Sequence, residues 1–537
     1  MSIEGLVFRA RQLEANRLVA DYLAGKPGAI DFFGGGAGEP GRIEAAAGRV
    51  GRKLDRRRAA EILRRQRTFP LVEGGEKRLM DFIERDGFIV VTGQQPVLFG
   101  GPLYVLYKTA TALRAADRIS ELLGAPVLTV FWNASEDHDF KEASAVRLPD
   151  LQNQMVELAF SQSTAENHPL CHVQVGDQAA GLLGRLKEIS PDTEFAGEIL
   201  ELLADSYAGG VDLGLAFSRL IGSLFSGRGL FVVDACHPAL RENSRELFEA
   251  EIFDSAASSR AVAEANRRLE ELSYPLQVTP QPDDTGLFLI TDNVREKLQR
   301  TGSDDTFRLK NSGREIPASE LRRLLNSYPT SFSPGVQMRP LVEAHLFGTL
   351  CYVAGPGEIS YYAQMKGLYG LRGLEMPLIY PRLSGVLIEN KIGRVLEKFG
   401  IEAESLEAGT DPVARSLLER DQSLSGLKEE IGSLRSQLEA AFGRVAAAAG
   451  KIDPTLAGPL EGTRQAVGSS LDRFSAKVEA AARRRNESML AQLAKAAVHL
   501  WPDGKPQERS IALVYYFLRY GRGLIDFILD EVQIDIN

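Results

Sequence analysis

Cysteine is scarce in this chain, whose 537 residues include only Cys171, Cys236 and Cys351. These three residues lie far apart and form no CxxC pair, so the sequence shows neither a disulfide framework nor a thiolate zinc site. Such sparse cysteine usage is typical of a reduced protein. We therefore expect a cytoplasmic location.

Long hydrophobic runs are also missing. Nowhere do about 18 apolar residues follow one another, so the sequence predicts no membrane-spanning helix. Residues 1–23 mix charged and apolar side chains at helical spacing, unlike the continuous apolar centre of a signal peptide. We expect no membrane partner.

Basic residues are outnumbered by acidic ones. The chain has 63 lysines and arginines against 72 aspartates and glutamates, which gives a formal net charge of -9. A negatively charged protein does not attract polyanions, so we expect no nucleic-acid partner. The length is sufficient for several cores, because single hydrophobic cores stop growing at roughly 250 to 300 residues.

Short runs of apolar residues recur between helical stretches after a predominantly helical region, residues 1–85. A helical stretch, residues 102–123, joins the first two runs into a βαβ unit. This alternation predicts an α/β fold with an open, doubly wound, mainly parallel sheet and helices on both faces. The strand candidates are residues 87–93, 126–132, 229–235, 285–291, 350–355 and 377–382.

The pattern changes near Pro412, where apolar residues recur at alternating steps of three and four. Such heptad spacing predicts two long helices that fold back as an antiparallel hairpin around a break at residues 450–459. The spacing leaves open whether the helices pair within one chain or between two. The heptad positions are Leu417, Leu424, Leu427, Ile431, Leu434, Leu438, Ala441, Val467, Leu471, Phe474, Val478 and Ala481.

These patterns predict seven segments along the chain. The region near residue 273 suggests a small mixed β unit, and the apolar tail suggests a helix from about Gln507 that packs on the body. The segments are 1–140 (N-terminal helices and first half of the core), 141–212 (first insertion), 213–272 (core), 273–332 (second insertion), 333–411 (second half of the core), 412–500 (hairpin) and 501–537 (C-terminal helix).

The first candidate site is the turn after the first predicted strand, within VTGQQPVLFGGPLYVLYK, residues 91–108. In a doubly wound sheet, ligands bind beyond the carboxyl ends of strands, where such a turn presents backbone N–H groups. An anionic or polar ligand is expected there, although the glycines could instead only shape the turn. The candidate residues are Gly93, Gln94, Gln95, Gly100, Gly101 and Lys108.

The second candidate site is FWNASEDHDF, residues 131–140, which follows the second predicted strand. Asp137 and Asp139 flank His138, and a carboxylate can raise the pKa of an imidazole to give a general base near neutral pH. Two alternatives are a divalent metal site in a metal-dependent hydrolase centred on Glu136 to Asp139, and an aspartate that caps the next helix. Adjacent residues rarely converge on one ion, so we expect no tightly bound metal.

The third candidate site lies in FSPGVQMRPLVEAHLFGTLCYVAGPGEISYYAQM, residues 332–365. Arg339 can grip a carboxylate through two hydrogen bonds. Glu358, Tyr361 and Tyr362 follow another predicted strand and could recognise an ammonium group or sugar hydroxyls. They are candidates because they follow a strand, where sites in this architecture form.

These three motifs, together with WPDGKPQER at residues 501–509, closely resemble the bacillithiol biosynthesis cysteine-adding enzymes. The resemblance implies a ligase that forms an amide between L-cysteine and the amine of glucosaminyl-malate. It also implies a Rossmann-like, doubly wound core with two connecting-peptide insertions. A C-terminal antiparallel α-helical coiled coil would mediate homodimer formation.

The implied core also resembles class I aminoacyl-tRNA synthetases and the cysteine ligase of mycothiol synthesis, which first adenylate their amino acid. This chain has GQQPVLFGG where the HIGH motif would stand, and no obvious KMSKS. Because a free carboxylate needs activation to form an amide, we expect ATP with Mg²⁺ as the driver, through an acyl phosphate or acyl adenylate.

In this scheme the turn amides and Lys108 would stabilise charge on phosphate, and His138 would take a proton from the attacking amine. Arg339 would hold the malate carboxylate. Trp132 with Tyr361 or Tyr362 would line the sugar. A non-enzymatic alternative is a coiled-coil scaffold whose body merely binds nucleotide, but polar motifs concentrated at strand ends favour an enzyme.

Overall fold

The structure is a computed structural model that describes residues 3–13, 16–161, 167–302, 306–419 and 422–537. The chain divides into two compact units. The larger unit comprises residues 1–387 and 508–537, and the smaller one comprises residues 388–507.

The strands of the described residues are numbered in chain order. They are β1 Leu6–Ala10, β2 Phe88–Gln94, β3 Val127–Asn133, β4 Ala145–Pro149, β5 Met155–Ala159, β6 Leu230–Asp234, β7 Asp284–Thr291, β8 Val294–Arg300, β9 Thr306–Leu309, β10 Glu315–Pro317, β11 Phe332–Pro334, β12 Cys351–Ala354, β13 Leu378–Pro381 and β14 Gly385–Glu389.

The α-helices of the described residues are numbered in the same way. None of them combines the length and the apolar character that crossing a lipid bilayer requires. They are α1 Arg17–Leu23, α2 Arg42–Val50, α3 Arg56–Arg64, α4 Gly75–Glu84, α5 Tyr104–Leu123, α6 Phe140–Ala143, α7 Gly176–Ile189, α8 Ala196–Ser206, α9 Leu213–Leu224, α10 Pro238–Asn243, α11 Arg245–Phe253, α12 Ser255–Glu271, α13 Ala318–Ser327, α14 Arg339–Phe347, α15 Pro356–Tyr362, α16 Lys366–Leu371, α17 Asn390–Phe399, α18 Thr410–Glu419, α19 Gln422–Ile452, α20 Ala457–Arg485, α21 Glu487–Leu500, α22 Gln507–Ser510, α23 Leu513–Tyr520 and α24 Gly523–Glu531.

The centre of the larger unit is a five-stranded parallel sheet with the order β13-β12-β2-β3-β6. Numbered along the chain, these strands run 5-4-1-2-3, which is the order of a doubly wound Rossmann-like sheet. The predicted fold class is therefore confirmed. The strand order reverses between β2 and β12, and ligands of such sheets bind at this switch point.

Alternate side chains of β2 enter two different hydrophobic cores. Ile89 and Val91 belong to one core, whereas Val90 packs in another with Ala112 and Ala115 of α5. Side chains of a strand point to opposite faces in turn, so both faces of β2 are covered. This burial explains why the strand reads as an unbroken apolar run.

Residues 285–291 form a strand, but they do not join the central sheet. They lie in β7, which pairs antiparallel with β8 and β11 in a separate five-stranded sheet of order β10-β9-β8-β7-β11. Counting this run toward the parallel sheet was wrong. A short apolar run indicates a strand but does not reveal which partner it pairs with.

The start of the chain differs from the predicted helix. Leu6 and Phe8 of β1 are buried while the residues between and after them are exposed, which is the period of a strand. The Arg11 N–H donates to the Ser384 carbonyl oxygen at 2.9 Å. The helix prediction was wrong here because these contacts come from residues remote in sequence.

Cys171 and Cys236 form a disulfide whose Cα atoms lie 6.6 Å apart. The expectation of no disulfide is wrong for this pair, which is separated by 65 residues and meets only through the fold. Ser135 lies between the two, because its carbonyl accepts the Cys171 N–H and its hydroxyl accepts the Cys236 N–H. Cys351 is buried and free.

The smaller unit contains the predicted helical hairpin, formed by α19 and α20. Ion pairs join Arg464 to Glu439 at 3.2 Å and Lys428 to Glu479 at 3.3 Å. The partners of successive α19 residues run backwards along α20, which confirms the antiparallel arrangement. The side chain of the heptad residue Leu424 lies outside the described residues.

Candidate active site

A cavity of about 490 Å³ opens at the carboxyl ends of β2, β3 and β12. This is the switch point of the sheet, and the volume falls within the roughly 300 to 1,000 Å³ of small-molecule sites. Its lining residues are Gly93, Gln94, Gln95, Tyr104, Lys108, Trp132, Ala134, Glu142, Gln277, Val278, Val336, Arg339, Tyr352, Gly355, Pro356, Gly357, Glu358, Tyr361, Arg382 and Arg509.

The structure brings many of the residues predicted from the sequence together in this cavity and leaves others outside it. Those in the lining are Gly93, Gln94, Gln95, Lys108, Trp132, Arg339, Glu358 and Tyr361. Those outside the lining are Gly100, Gly101, Asp137, His138, Asp139 and Tyr362.

Lys108 is a buried ammonium group at the wall of the cavity, with 3% of its side chain exposed. It donates a short hydrogen bond to the Gly93 carbonyl and lies 2.5 Å from a Glu358 carboxylate oxygen. Burial lowers the pKa of Lys108, and the charge of Glu358 opposes that effect. Lys108 is therefore not a solvated helix residue.

Glu358 is held in place by three elements. Besides Lys108 of α5, its carboxylate accepts hydrogen bonds from the Tyr352 hydroxyl and the Gly355 N–H, each at 2.7 Å. The Gly355 contact closes the first turn of α15, because the N3 carboxylate bonds the N-cap backbone. The Lys108–Glu358 pair thus joins both sides of the switch point.

Gly93 and Trp132 bring β2 and β3 into close contact at the edge of the cavity. A Cβ on Gly93 would lie 2.7 Å from the Trp132 carbonyl oxygen, so only glycine fits without a shift. Among the described residues, the buried indole N–H of Trp132 has no hydrogen-bond partner. Trp132 is also one of the residues that line the cavity.

The turn after β2 is buried and its amides are engaged within the protein. The Phe99 N–H donates to the Tyr207 hydroxyl at 2.7 Å, and the N–H groups of Gly100 and Gly101 donate to carbonyls of the same turn. Gly100 and Gly101 adopt φ values of 87° and 78°. These two glycines shape the turn and do not present amides to the cavity.

Arg339 already has carboxylate partners. Its Nε lies 2.9 Å from an oxygen of Glu136, which is fully buried, and its Nη2 lies 3.8 Å from Asp137. Burial acts to lower the pKa of Arg339, but the two carboxylates raise it. The guanidinium is thus held in the cavity wall with its charge largely balanced.

His138 contacts a residue that the sequence did not suggest. Nη1 of Arg295 lies 2.8 Å from the imidazole Nδ1. A guanidinium only donates, so Nδ1 accepts and the neutral ring carries its proton on Nε2. Burial and Arg295 lower the pKa of His138, whereas Asp137 and Asp139 raise it more weakly. The prediction of a raised pKa was wrong because Arg295 is remote in sequence.

The residues from Glu136 to Asp139 have several partners, of which Arg339 contacts both Glu136 and Asp137. Glu136 pairs with Arg339, and Asp137 accepts a hydrogen bond from the backbone N–H of His138. Asp139 caps α6 by accepting a hydrogen bond from the backbone N–H of Glu142. Within the described ranges, no group of three or more metal-ligating side chains converges. The helix-capping alternative is confirmed for Asp139, and the hydrolase alternative has no supporting geometry in this part of the chain.

Twelve lining residues were not candidates in the sequence analysis, among them Tyr104, Glu142, Gln277, Arg382 and Arg509. Arg382 directly follows β13, so the rule that placed the other candidates at strand ends could have found it. Glu142 follows the second motif by two residues. Arg509 belongs to a quoted motif, but only the tertiary structure brings it to the cavity.

The cavity lining carries more positive than negative charge. Lys108 and three arginines face Glu142 and Glu358, although the whole chain has a net charge of -9. A cleft lined by one excess sign of charge attracts ligands of the opposite sign. The arrangement suits a small anionic ligand that also carries hydrogen-bonding groups.

The sequence matches two family models that span nearly all of it. Residues 1–383 match "Bacillithiol biosynthesis BshC, N-terminal Rossmann-like domain", and residues 385–534 match "Bacillithiol biosynthesis BshC, C-terminal coiled-coil domain". The chain belongs to the BshC family. The resemblance inferred from the motifs is thereby confirmed, and both matched descriptions agree with the parallel sheet and the helical hairpin.

Several BshC relatives are similar over most of their length. A protein of Salinibacter ruber named "Putative cysteine ligase BshC" is 34% identical over 533 residues, covering 97% of this chain and 95% of the relative. Proteins of the same name from Chlorobaculum tepidum and Symbiobacterium thermophilum are 33% and 32% identical. Each covers 83% of this chain, with 80% and 82% of the relatives matched.

The lowered pKa of His138 predicts a pH effect on the stability of this BshC protein. Unfolded histidine has a pKa of about 6.5, so the unfolded state binds more protons at mildly acidic pH and the free energy of unfolding falls as pH drops. His138→Gln removes this contribution. We expect the wild type to lose more stability than the variant between about pH 7.5 and 5.5 in urea titrations. Equal losses would contradict the geometry around Arg295.

Proposed function

We propose that this chain is a cysteine ligase of bacillithiol biosynthesis that joins the carboxyl group of L-cysteine to the amine of glucosaminyl-malate by an amide bond. The observation that carries the proposal is the positively lined cavity at the switch point of the sheet. In a BshC chain, such a cavity suits an acceptor that carries a dicarboxylate and sugar hydroxyls.

Amide formation from a free carboxylate needs activation, and we assign that role to ATP with Mg²⁺. ATP would convert the cysteine carboxylate into an acyl phosphate or acyl adenylate. The cationic groups of the lining fit a ligand with phosphates, and Lys108, which is buried, bonds the Gly93 carbonyl near the end of β2. In this proposal Lys108 stabilises negative charge that develops during the transfer. The reaction takes place in the cytoplasm, where ATP is made.

The other lining residues position the substrates. The free indole N–H of Trp132 offers a hydrogen bond to a sugar hydroxyl or carbonyl, and Tyr361 provides an aromatic wall. Arg339, balanced by Glu136, holds the wall in shape and leaves less charge for a malate carboxylate. His138 contacts Arg295 outside the lining, so in this proposal it does not take the proton from the amine.

We also propose that the helical hairpin mediates a homodimer. Heptad residues of α19 and α20 remain exposed in the single chain, with Leu427 at 41%, Leu434 at 46% and Phe474 at 50% exposure. Apolar side chains at heptad positions are stabilised when a further helix covers them. Light scattering of the full chain tests this proposal, and a monomer at micromolar concentration would contradict it.

The activity is tested by mass spectrometry of purified protein incubated with L-cysteine and glucosaminyl-malate under reducing conditions, with and without ATP and magnesium. We expect a product whose mass equals that of both substrates minus one water, and only when ATP is present. Chromatography of the nucleotides then separates AMP from ADP and so distinguishes the two activated intermediates. A product formed equally without ATP would contradict the activation step, and no product in any condition would contradict the ligase.

A further inference from the structure

Most charged groups in the cavity wall are already paired. Lys108 pairs with Glu358 at 2.5 Å, Arg339 pairs with Glu136 as described above, and Arg382 pairs with Glu508 at 2.7 Å. Two lining residues differ from these. Among the described residues, Arg509 has no carboxylate and Glu142 no cationic group within 4.0 Å. Both residues are exposed, so their charges are accessible to a ligand, whereas the charges of Arg339 and Arg382 are balanced by carboxylates outside the lining.

The two unpaired charges lie around the same side chain, Tyr104. Burial raises the pKa of Tyr104, and the charge of Glu142 raises it further, while Arg382 and Arg509 oppose both. The Tyr104 hydroxyl accepts a hydrogen bond from the Gln94 side chain at 3.0 Å. The pKa of Tyr104 is therefore affected both by the Glu142 carboxylate and by the two arginines.

Arg382 and Arg509 are both connected to Glu508. Arg382 forms an ion pair with it, and Arg509 is the next residue in the chain. The buried carboxylate of Glu508 accepts from Arg382 at 2.7 Å, from the Ser384 hydroxyl at 3.0 Å and from the Gly385 N–H at 3.1 Å. These bonds anchor the chain immediately before Arg509. Glu508 pairs with Arg382 only, so the charge of Arg509 fits a ligand with carboxylates, which arginine binds through paired N–H groups.

Glu142 lies at the start of the short helix after the second motif. Partial burial and the nearby Asp139 raise the pKa of Glu142, and the neighbouring Gln95 side chain opposes them. A carboxylate can bind an ammonium group, and a raised pKa makes it a better proton acceptor. Glu142 and Arg509 thus offer opposite charges to a molecule that carries both an amine and carboxylates.

We propose that Arg509, with Arg382, binds the dicarboxylate end of the acceptor, and that Glu142 binds its amine and removes a proton during transfer. The amine nitrogen forms a C–N bond to the activated carbonyl carbon of cysteine. The C–O bond to the phosphate or adenylate leaving group breaks, and the nitrogen's proton goes to Glu142. This assignment rests on the proposed ligase function and specifies which residues bind each end of the acceptor.

The dicarboxylate part is tested with two acceptors, glucosaminyl-malate and methyl glucosaminide, which has the same amine but no carboxylates. For Arg509→Gln we expect kcat/KM with glucosaminyl-malate to fall about 10- to 100-fold, as for loss of hydrogen bonds to a charged group. The value with methyl glucosaminide should not change. Arg57→Gln, which removes an exposed arginine outside the lining, is the matched control. Equal effects on both acceptors, or none, would overturn the assignment.

The role of Glu142 is tested by the pH dependence of kcat with glucosaminyl-malate. For Glu142→Gln we expect kcat to fall about 10²- to 10⁴-fold and the part of the acidic limb that the Glu142 carboxylate contributes to disappear. Glu201→Gln, at an exposed carboxylate outside the lining, should keep the wild-type profile. A Glu142→Gln profile with the wild-type acidic limb would overturn this role.

The wild-type enzyme distinguishes a failure of the ligase function from a failure of this residue assignment. If it forms no product from cysteine, ATP and glucosaminyl-malate, the ligase function fails and this assignment fails with it. If the wild type forms product while both variants keep its kinetics, the ligase function stands and only the assignment is overturned.

Discussion

Replacing Lys108 with methionine is expected to lower kcat/KM for amide formation by about 10²- to 10³-fold, the usual cost of removing one preorganised charge-stabilising donor. Methionine keeps much of the side-chain volume but has no ammonium group. The effect follows from the position of Lys108, which is buried between the Gly93 carbonyl and Glu358 at the switch point of the sheet. Initial rates measured by mass spectrometry test it.

Lys108→Met also leaves Glu358 without its partner, so lost activity has to be separated from lost folding. Breaking a buried ion pair costs about 3 to 5 kcal/mol, whereas replacing both partners is often nearly neutral. Glu358 is 19% exposed, which reduces the cost here. We therefore expect the double variant Lys108→Met, Glu358→Gln to recover stability but not activity. A double variant with wild-type turnover would show that Lys108 is only structural.

Replacing Glu508 with alanine is expected to lower the free energy of unfolding of the larger unit by about 3 to 5 kcal/mol. The change leaves Arg382 as a buried, unpaired cation, since the side chains of the pair are only 2% and 6% exposed. It also removes the acceptor for the Ser384 hydroxyl and the Gly385 N–H. Catalysis should fall too, because Arg382 and Arg509 lose their anchor.

The measurement needs a probe of the larger unit alone, because the two units need not unfold together. The chain has two tryptophans, of which Trp132 lies in the larger unit and Trp501 in the smaller. In a Trp501→Phe background, tryptophan fluorescence in urea therefore reports on the larger unit. The exposed control Glu201→Ala should stay within about 0.5 kcal/mol of the parent. A similarly small effect of Glu508→Ala would contradict the buried pair.

The central sheet was predictable because its signal is local. The runs that became β2, β3, β6, β12 and β13 are each apolar over a strand length and bounded by turns, and a strand buried on both faces requires such a composition. The hairpin was predictable for the same reason, since heptad spacing places one apolar stripe along each helix. Neither inference needs knowledge of a distant partner.

The candidate site was predictable only in part. Residues such as Lys108, Trp132 and Glu358 follow predicted strands, and parallel strands bring their carboxyl ends to one edge. Arg509 comes from near the end of the chain, and Arg295, which contacts His138, comes from a separate antiparallel sheet. No pattern in the neighbouring sequence distinguishes these arginines from solvated ones.

By itself, then, the sequence determined the α/β class, the helical hairpin and the strand ends where polar cavity residues gather, because apolar periodicity and turn residues act over short distances. Only the tertiary structure decided that His138 accepts a hydrogen bond from Arg295, that Cys171 meets Cys236, and that Arg509 enters the cavity. These contacts join residues remote in sequence. Their formation depends on how the packed elements close long loops, which no local pattern records.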